Sequence, residues 1–430
     1  MLKNKLIRGT FVLTVTGLTT RFMGFFFRMF LSHTFGAEQV GLYQLIFPIY
    51  GLCFSLSCAG IEASLSRCVA QKISLGQKKQ AEQMLFQAIT FSLSISLILA
   101  IFIHHLAPWL SNSILQDSRC EHLLSALVYA LPFASIHSCI VGYYLGQRQT
   151  KIPAVSQLLE QIGRIGAVYI IYKICLNTHG EYSIVIAVIG ITIGEILATI
   201  YCLRLVPITP CFQISHIKEL SSLAIPLTSN RVLMNILQSI ETISIPIYLQ
   251  KYGYTNEGAL SMYGVLTGMA LPCIFFPTAL TSSVSTMLLP TVADIQAAED
   301  HTHLNSLIRR VIYFGLGLGS ICGVGFFLFG PWIGNLLFDN NLVGKFLRIL
   351  AWICPFMYMN TTLMSVLNGL GKATKTLLIS MCSLTIRISG VWFGIPAFGM
   401  QGYLWGLLAS QLITSVMCVW QLATKKDVNL

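Results

Sequence analysis

The chain has 430 residues, of which 55% are hydrophobic and only 10% charged, and its mean hydropathy is +0.72. A soluble protein carries roughly 25% charged residues, so a soluble enzyme or nucleic-acid-binding domain is excluded and a polytopic membrane protein with almost no soluble domain remains. The net charge of +11 therefore has to be read from where the charges fall.

The first apolar stretch, Leu6 to Leu31, exceeds the about 20 residues that cross a bilayer. Its basic start, MLKNKLIRG, invites a signal-peptide reading. The segment is too long for one, contains Arg21 and Arg28, and lacks an A-x-A-like cleavage site, so a membrane helix is expected instead. The hydropathy pattern then predicts further helices at roughly 44–69, 84–110, 122–146, 154–176, 182–205, 219–249, 259–290, 308–337, 343–370, 376–395 and 400–422. With the N-terminus inside, the cytoplasmic segments hold seventeen of the 27 basic residues, among them Lys72, Lys78, Lys79, Arg309, Arg310, Lys372 and Lys375. The positive-inside rule then places both termini in the cytoplasm. Most of the +11 is a topology signal. The thirteen cysteines are scattered, mostly in apolar stretches and never as C-x-x-C, and read as small hydrophobes rather than a disulfide or metal framework.

Twelve helices divide by an internal repeat. LPFASIHSCIVGYYLGQRQTK at 131–151 parallels CPFMYMNTTLMSVLNGLGKATK at 354–375, and each run enters a helix bearing Arg164-Ile or Arg387-Ile, an offset of 223 to 225 residues. Thr20-Arg21 parallels Asn230-Arg231 more loosely, at an offset of 210. Six crossings return the chain to its starting side, so the two six-helix lobes are parallel and their pseudo-two-fold runs along the membrane normal. The expected division is an N-terminal lobe over 1–205, a cytoplasmic linker over 206–218 with two prolines, and a C-terminal lobe over 219–430.

Nine charged residues fall within helices: Arg21, Arg28, Arg164, Arg231, Arg387, Glu62, Glu160, Glu195 and Glu241. An arginine at a helix centre costs about 2.5–3.5 kcal/mol on insertion scales, so it is expected to face water or a polar partner. Arg21 and Arg28 are seven residues apart, two turns, and share a face. Together with Arg231 they form a candidate basic cavity wall for an anionic headgroup, because the guanidinium fork binds phosphate bidentately. The bland reading is snorkelling, easiest for Arg28 near the outer end. Glu160 and Arg164 have the spacing of an intrahelical ion pair. Glu241, ten residues after Arg231, is expected to partner an arginine or act as a protonatable gate. Glu62, Glu160, Glu241, Arg164 and Arg387 are thus the candidates for ion pairing or for coupling to H+ or Na+. Glu62 and Glu195 read first as packed polar residues.

Gly264-x-x-x-Gly268 and Gly315-x-x-x-Gly319-x-x-x-Gly323 predict close helix contacts. Pro48, Pro132, Pro246, Pro272, Pro277 and Pro355 are expected to kink helices. GLGLGS at 315–320 has no preceding strand, and LNGLGKATK at 367–375 lacks the leading glycine of a phosphate loop, so no nucleotide site is read here. No cofactor or metal is expected, and none is assigned to His104-His105.

Several of these segments together resemble the stage V sporulation protein B group of polysaccharide-biosynthesis membrane proteins. They are Thr20-Arg21-x-x-Gly24, Phe35-Gly36-Ala37-x-x-x-Gly41-Leu42-Tyr43-Gln44-x-x-Phe47-Pro48, Ala59-Gly60-Ile61, SMYGVLTGMALP at 261–272, LLPTVAD at 288–294 and GYLWGLLASQL at 402–412. The resemblance spans essentially the whole chain. It implies the multidrug-exporter-like fold of the multidrug and oligosaccharidyl-lipid exporter superfamily and a relationship to lipid II flippases, in which a first-helix arginine, matched here by Arg21, is implicated in function. It further implies a non-enzymatic flippase in a bacterial plasma membrane. Such a protein moves a polyprenyl-pyrophosphate-linked sugar or peptidoglycan precursor outward by alternating access, as a monomer among membrane lipids. Two other readings compete: a cation-coupled multidrug exporter of the same fold, and a non-transporting scaffold for envelope or spore assembly.

Overall fold

The structure, a computed structural model, describes residues 2–178, 183–207, 210, 214–298 and 300–423. Lys425, Lys426 and the stretches 208–209 and 211–213 of the expected linker lie outside them. Every regular element among the described residues is helical. The first half contains α1 (Leu2–Leu45), α2 (Phe47–Phe54), α3 (Gly60–Ser74), α4 (Lys78–Trp109), α5 (Cys120–Leu127), α6 (Ala130–Gly146), α7 (Lys151–Asn177) and α8 (Val185–Leu205). The second contains α9 (Ile214–Tyr252), α10 (Asn256–Gly264), α11 (Leu271–Phe275), α12 (Thr278–Ala297), α13 (His301–Phe338), α14 (Asn341–Leu350), α15 (Cys354–Gly369), α16 (Ala373–Ser389), α17 (Ile395–Phe398) and α18 (Met400–Ala423). The chain is a multi-pass, all-α membrane protein.

Ten stretches among the described residues are long and apolar enough to cross a membrane. One of them, Phe11–Ser74, runs for 64 residues, the length of two crossings at about 1.5 Å per residue. It breaks at Gly36, whose φ of 79° and ψ of 169° suit a residue without a Cβ. The 27-residue α7 is long enough to cross but is diluted by Glu160, Arg164 and Lys173. Dividing the first stretch at Gly36 and including α7 recovers the twelve expected helices.

The prolines act differently from the expectation. Pro48, Pro272 and Pro355 occupy the first turns of α2, α11 and α15, and Pro277 immediately precedes α12. There the missing N–H costs nothing, since the first-turn N–H groups have no intrahelical acceptor. The expected single helix over 259–290 is consequently three pieces, α10, α11 and α12, with a π-helical turn at Val265–Ala270.

The residues fall into two compact units, one of Met1–Phe27 with Leu42–Ser239 and the other of Arg28–Gly41 with Ile240–Leu430. In the first unit α6 packs on α3, α4 and α8, and α7 on α8. Leu65, Cys68, Val69, Leu85, Ile140 and Tyr143 form its core. In the second, α15 packs on α12, α13 and α18, and α16 on α18, around Val292, Ile308, Leu363, Val366, Leu367 and Cys418. Buried cysteines sit in both cores as small apolar residues. The glycine ridges do what their spacing predicts. A methyl added at Gly319 would meet Pro355 Cα at 2.5 Å and one at Gly323 would meet Ala351 O at 2.8 Å, while Gly264 lies directly against Ala37. The opposite face of α13 exposes Ile321, Phe327, Phe329 and Trp332, so the helix is apolar all round, as a lipid-facing span is.

Candidate functional site

Glycines set the polar interior of the first unit. Gly190 and Gly194 put one face of α8 against α7, since a methyl at Gly194 would lie 2.6 Å from Glu160 O and 3.2 Å from Arg164 Cβ. Gly142 brings α6 equally close to α3, with Glu62 O 2.7 Å from the position its Cβ would take. Carboxylates from three helices are thereby drawn around α6. Ser138 Oγ donates to Glu62 Oε2 at 2.8 Å. His137 places Nδ1 3.1 Å from Glu195 Oε2 and Nε2 3.0 Å from Ser156 Oγ. The ligand-type atoms of His137, Glu160 and Glu195 all lie within 4.8 Å of one another. Within that group His137 Nδ1 and Glu195 Oε2 meet each other at hydrogen-bonding distance.

Arg164 joins the same region without the intrahelical partner its spacing predicts. Its Nη2 donates to Gln161 Oε1 at 2.5 Å, and its Cζ lies 5.9 Å from the centre of the Phe27 ring. Its Nε is buried with no hydrogen-bond partner among the described residues. Glu160 instead accepts from Gln161 Nε2 at 3.4 Å. The i,i+4 spacing permits an ion pair, and in this structure the amide of Gln161 joins the two side chains, accepting from Arg164 and donating to Glu160.

In the second unit Glu241 is 2% exposed and its Oε1 accepts from Arg387 Nε at 2.7 Å and from Tyr403 Oη at 2.7 Å. The charge pair is closed on itself, as a buried carboxylate requires. Arg28 also belongs to this unit, where Nη1 donates to Thr267 O at 3.4 Å. Arg21 and Arg231 are in the first unit, and both are exposed on apolar helices. Asn235, one turn past Arg231, anchors that stretch of α9 by donating to Gly51 O at 3.1 Å and to Ser55 Oγ.

Sequence reasoning missed His137, Ser156 and Tyr403. His137 stands in the repeated Pro-Phe segment at the slot that Asn360 fills in the second copy, and a polar residue kept in both copies was the available signal. Tyr403 carried none, because aromatic residues make up 11% of this chain and one more does not stand out.

The family model described as "Polysaccharide biosynthesis protein" matches residues 6–296, and MatE matches residues 231–393. Stage V sporulation protein B of Bacillus subtilis (strain 168) is 25% identical over 433 residues, covering 97% of this chain and 83% of the relative. Lipid II flippase MurJ of the same organism is 24% identical over 418 residues, covering 90% of this chain and 77% of the relative. A solved structure of lipid II flippase MurJ in an inward closed conformation superposes with a TM-score of 0.77 at 15% identity, over 96% of this chain and 88% of that one, and shares the fold. The relative and the solved structure named for an activity are flippases, not enzymes.

Proposed function

The chain belongs to the polysaccharide biosynthesis protein family, and from that membership we propose that it carries an anionic, lipid-linked saccharide or peptidoglycan precursor from the inner to the outer leaflet of a bacterial plasma membrane. The observation that carries this reading is the division among the intramembrane arginines. Arg387 is half-buried and paired with Glu241, which also accepts from Tyr403, whereas Arg21 and Arg231, each on the first helix of its half, are exposed. An exposed guanidinium in an apolar helix is costly unless water or an anion meets it, and a pyrophosphate offers it bidentate hydrogen bonds. In this reading Arg21 and Arg231 form a basic wall that meets the headgroup from either side of the membrane in turn, and the isoprenoid tail stays in lipid. With both termini cytoplasmic, an anionic headgroup moves down the membrane potential by about 2.3 kcal/mol per charge per 100 mV. No second chain is needed, and a monomer suffices.

The test is a reconstituted flipping assay with polyprenyl-pyrophosphate-linked sugars. Headgroup translocation by the wild-type protein supports the reading; its absence with every such substrate, alongside export of cationic dyes, overturns it. That second outcome is the drug-exporter reading, which the MatE match over residues 231–393 favours.

A further inference from the structure

Ser156 decides how many protons the contact between α6, α7 and α8 holds. Its Oγ lies 3.0 Å from Pro153 O and 3.0 Å from His137 Nε2, and it has one hydrogen to give. When the hydroxyl donates to Nε2, the imidazole carries its single hydrogen on Nδ1 and donates it to Glu195 Oε2, 3.1 Å away. When the hydroxyl turns to Pro153 O, its oxygen accepts instead, so Nε2 must carry a hydrogen. Nδ1 and Oε2 then still need one hydrogen between them, because two acceptors cannot share a contact. Both arrangements leave every one of these atoms hydrogen-bonded. They differ by one proton, which adds to the Nε2 lone pair as the hydroxyl swings away, with no heavy-atom bond made or broken.

Several titratable groups surround the ring. Facing His137 are Glu195 on α8, Glu160 on α7 and Glu62 on α3. Arg164 on α7 interacts with Glu160, and Tyr50 on α2 and Cys58 in the turn after it lie within electrostatic reach of Glu195. Three carboxyl groups and one guanidinium thus surround the ring, so a cation on it has carboxyl oxygens to meet it. The second unit makes the same helix contact from Asn360, Gln411 and Ser415, amides and a hydroxyl that neither gain nor lose a proton near neutral pH.

We propose that His137, Glu195 and Ser156 form a reversible proton-binding site confined to the first unit, with the Ser156 hydroxyl as its toggle. It stands apart from the flippase reading and its test uses no transported substrate, so failure here leaves that reading intact. The test is nitrogen NMR of the full-length protein, labelled with 15N-histidine, in lipid nanodiscs between about pH 5 and 9. The His137 resonance is identified by its loss in His137→Asn. It is expected to pass in one step from the Nδ1–H tautomer to imidazolium as pH falls. Glu195→Gln is expected to lower the midpoint by about one pH unit or more, because a neutral amide replaces the counter-charge. Ser156→Ala is expected to change the tautomer seen at high pH. A resonance constant across the range overturns the proposal, as does a midpoint unmoved by Glu195→Gln. Displacement of the proton by zinc ions at fixed pH also overturns it, in favour of a divalent-cation site.

Discussion

In the first unit α6 meets α8 through His137 and Glu195; in the second, α15 meets α18 through Asn360 and Gln411. Asn360 Nδ2 donates to Gln411 Oε1 and to its main-chain oxygen, both at 2.9 Å, while Ser415 Oγ donates to Asn360 Oδ1 at 2.8 Å. Asn360 follows His137 by 223 residues, the interval that also separates Arg164 from Arg387. The arginines differ in the opposite sense. Arg387 has a buried carboxylate from α9, whereas ten residues past Arg21, where Glu241 would stand, the first half has Leu31. The slots matched at that interval are polar in both halves, and the charge differs between them. The second unit pairs Arg387 with a carboxylate and makes its helix contact from amides, while the first keeps Arg164, whose Nε has no hydrogen-bond partner among the described residues, near the His137–Glu195 contact.

The largest effect is expected where the charge is locked. Glu241→Ala leaves Arg387 and Tyr403 facing an empty site and is expected to destabilise the protein by about 3–5 kcal/mol, read as a lowered thermal midpoint in detergent. An unchanged midpoint would mean that the pair holds nothing together. Next is the packing that gathers the first unit's carboxylates. Gly194→Leu puts side-chain atoms where Glu160 O and Arg164 Cβ already lie and is expected to cost about 1–3 kcal/mol in the same assay. The double change His137→Asn with Glu195→Gln gives the first unit the amide chemistry of the second. It is expected to alter stability by less than about 1.5 kcal/mol, since one hydrogen-bonded pair replaces another. A collapse of the fold on this exchange would show that the two contacts are not interchangeable.

The smallest effect lies outside the membrane-spanning segments, at the start of α13. Asp300 Oδ1 accepts from His303 N at 2.9 Å and from Thr302 Oγ1 at 2.8 Å, and the His303 N–H holds its carboxyl below the usual range. A depressed carboxyl contributes stability that is present above its unfolded value of about 3.9 and is lost as pH falls towards the folded one. Asp300→Ala is therefore expected to flatten a slight loss of stability on acidification below about pH 4. No flattening would mean that the cap contributes nothing.

Crossing helices were readable from hydropathy because lipid demands long apolar stretches, and the clearest departure is the expected helix over 259–290, which divides around Pro272 and Pro277. The break at Gly36 was not, because a glycine inside an apolar run gives no sign of its φ. The intramembrane charges were also readable, since every one is an exception to the pattern around it. Their hydrogen-bond partners were not: spacing on one helix suggested Glu160 with Arg164, while both side chains hydrogen-bond the intervening Gln161. Arg387 shows this most clearly, because its partner Glu241 lies 146 residues away and no local pattern joins them.

The central claim is that the exposed arginines handle an anionic headgroup and the carboxylate-paired Arg387 does not. It is tested most directly by measuring translocation of a polyprenyl-pyrophosphate-linked sugar in proteoliposomes containing wild-type or Arg21→Ala protein at matched, folded amounts. The account predicts loss of translocation in Arg21→Ala with the thermal midpoint unchanged. Full translocation by that variant would contradict it.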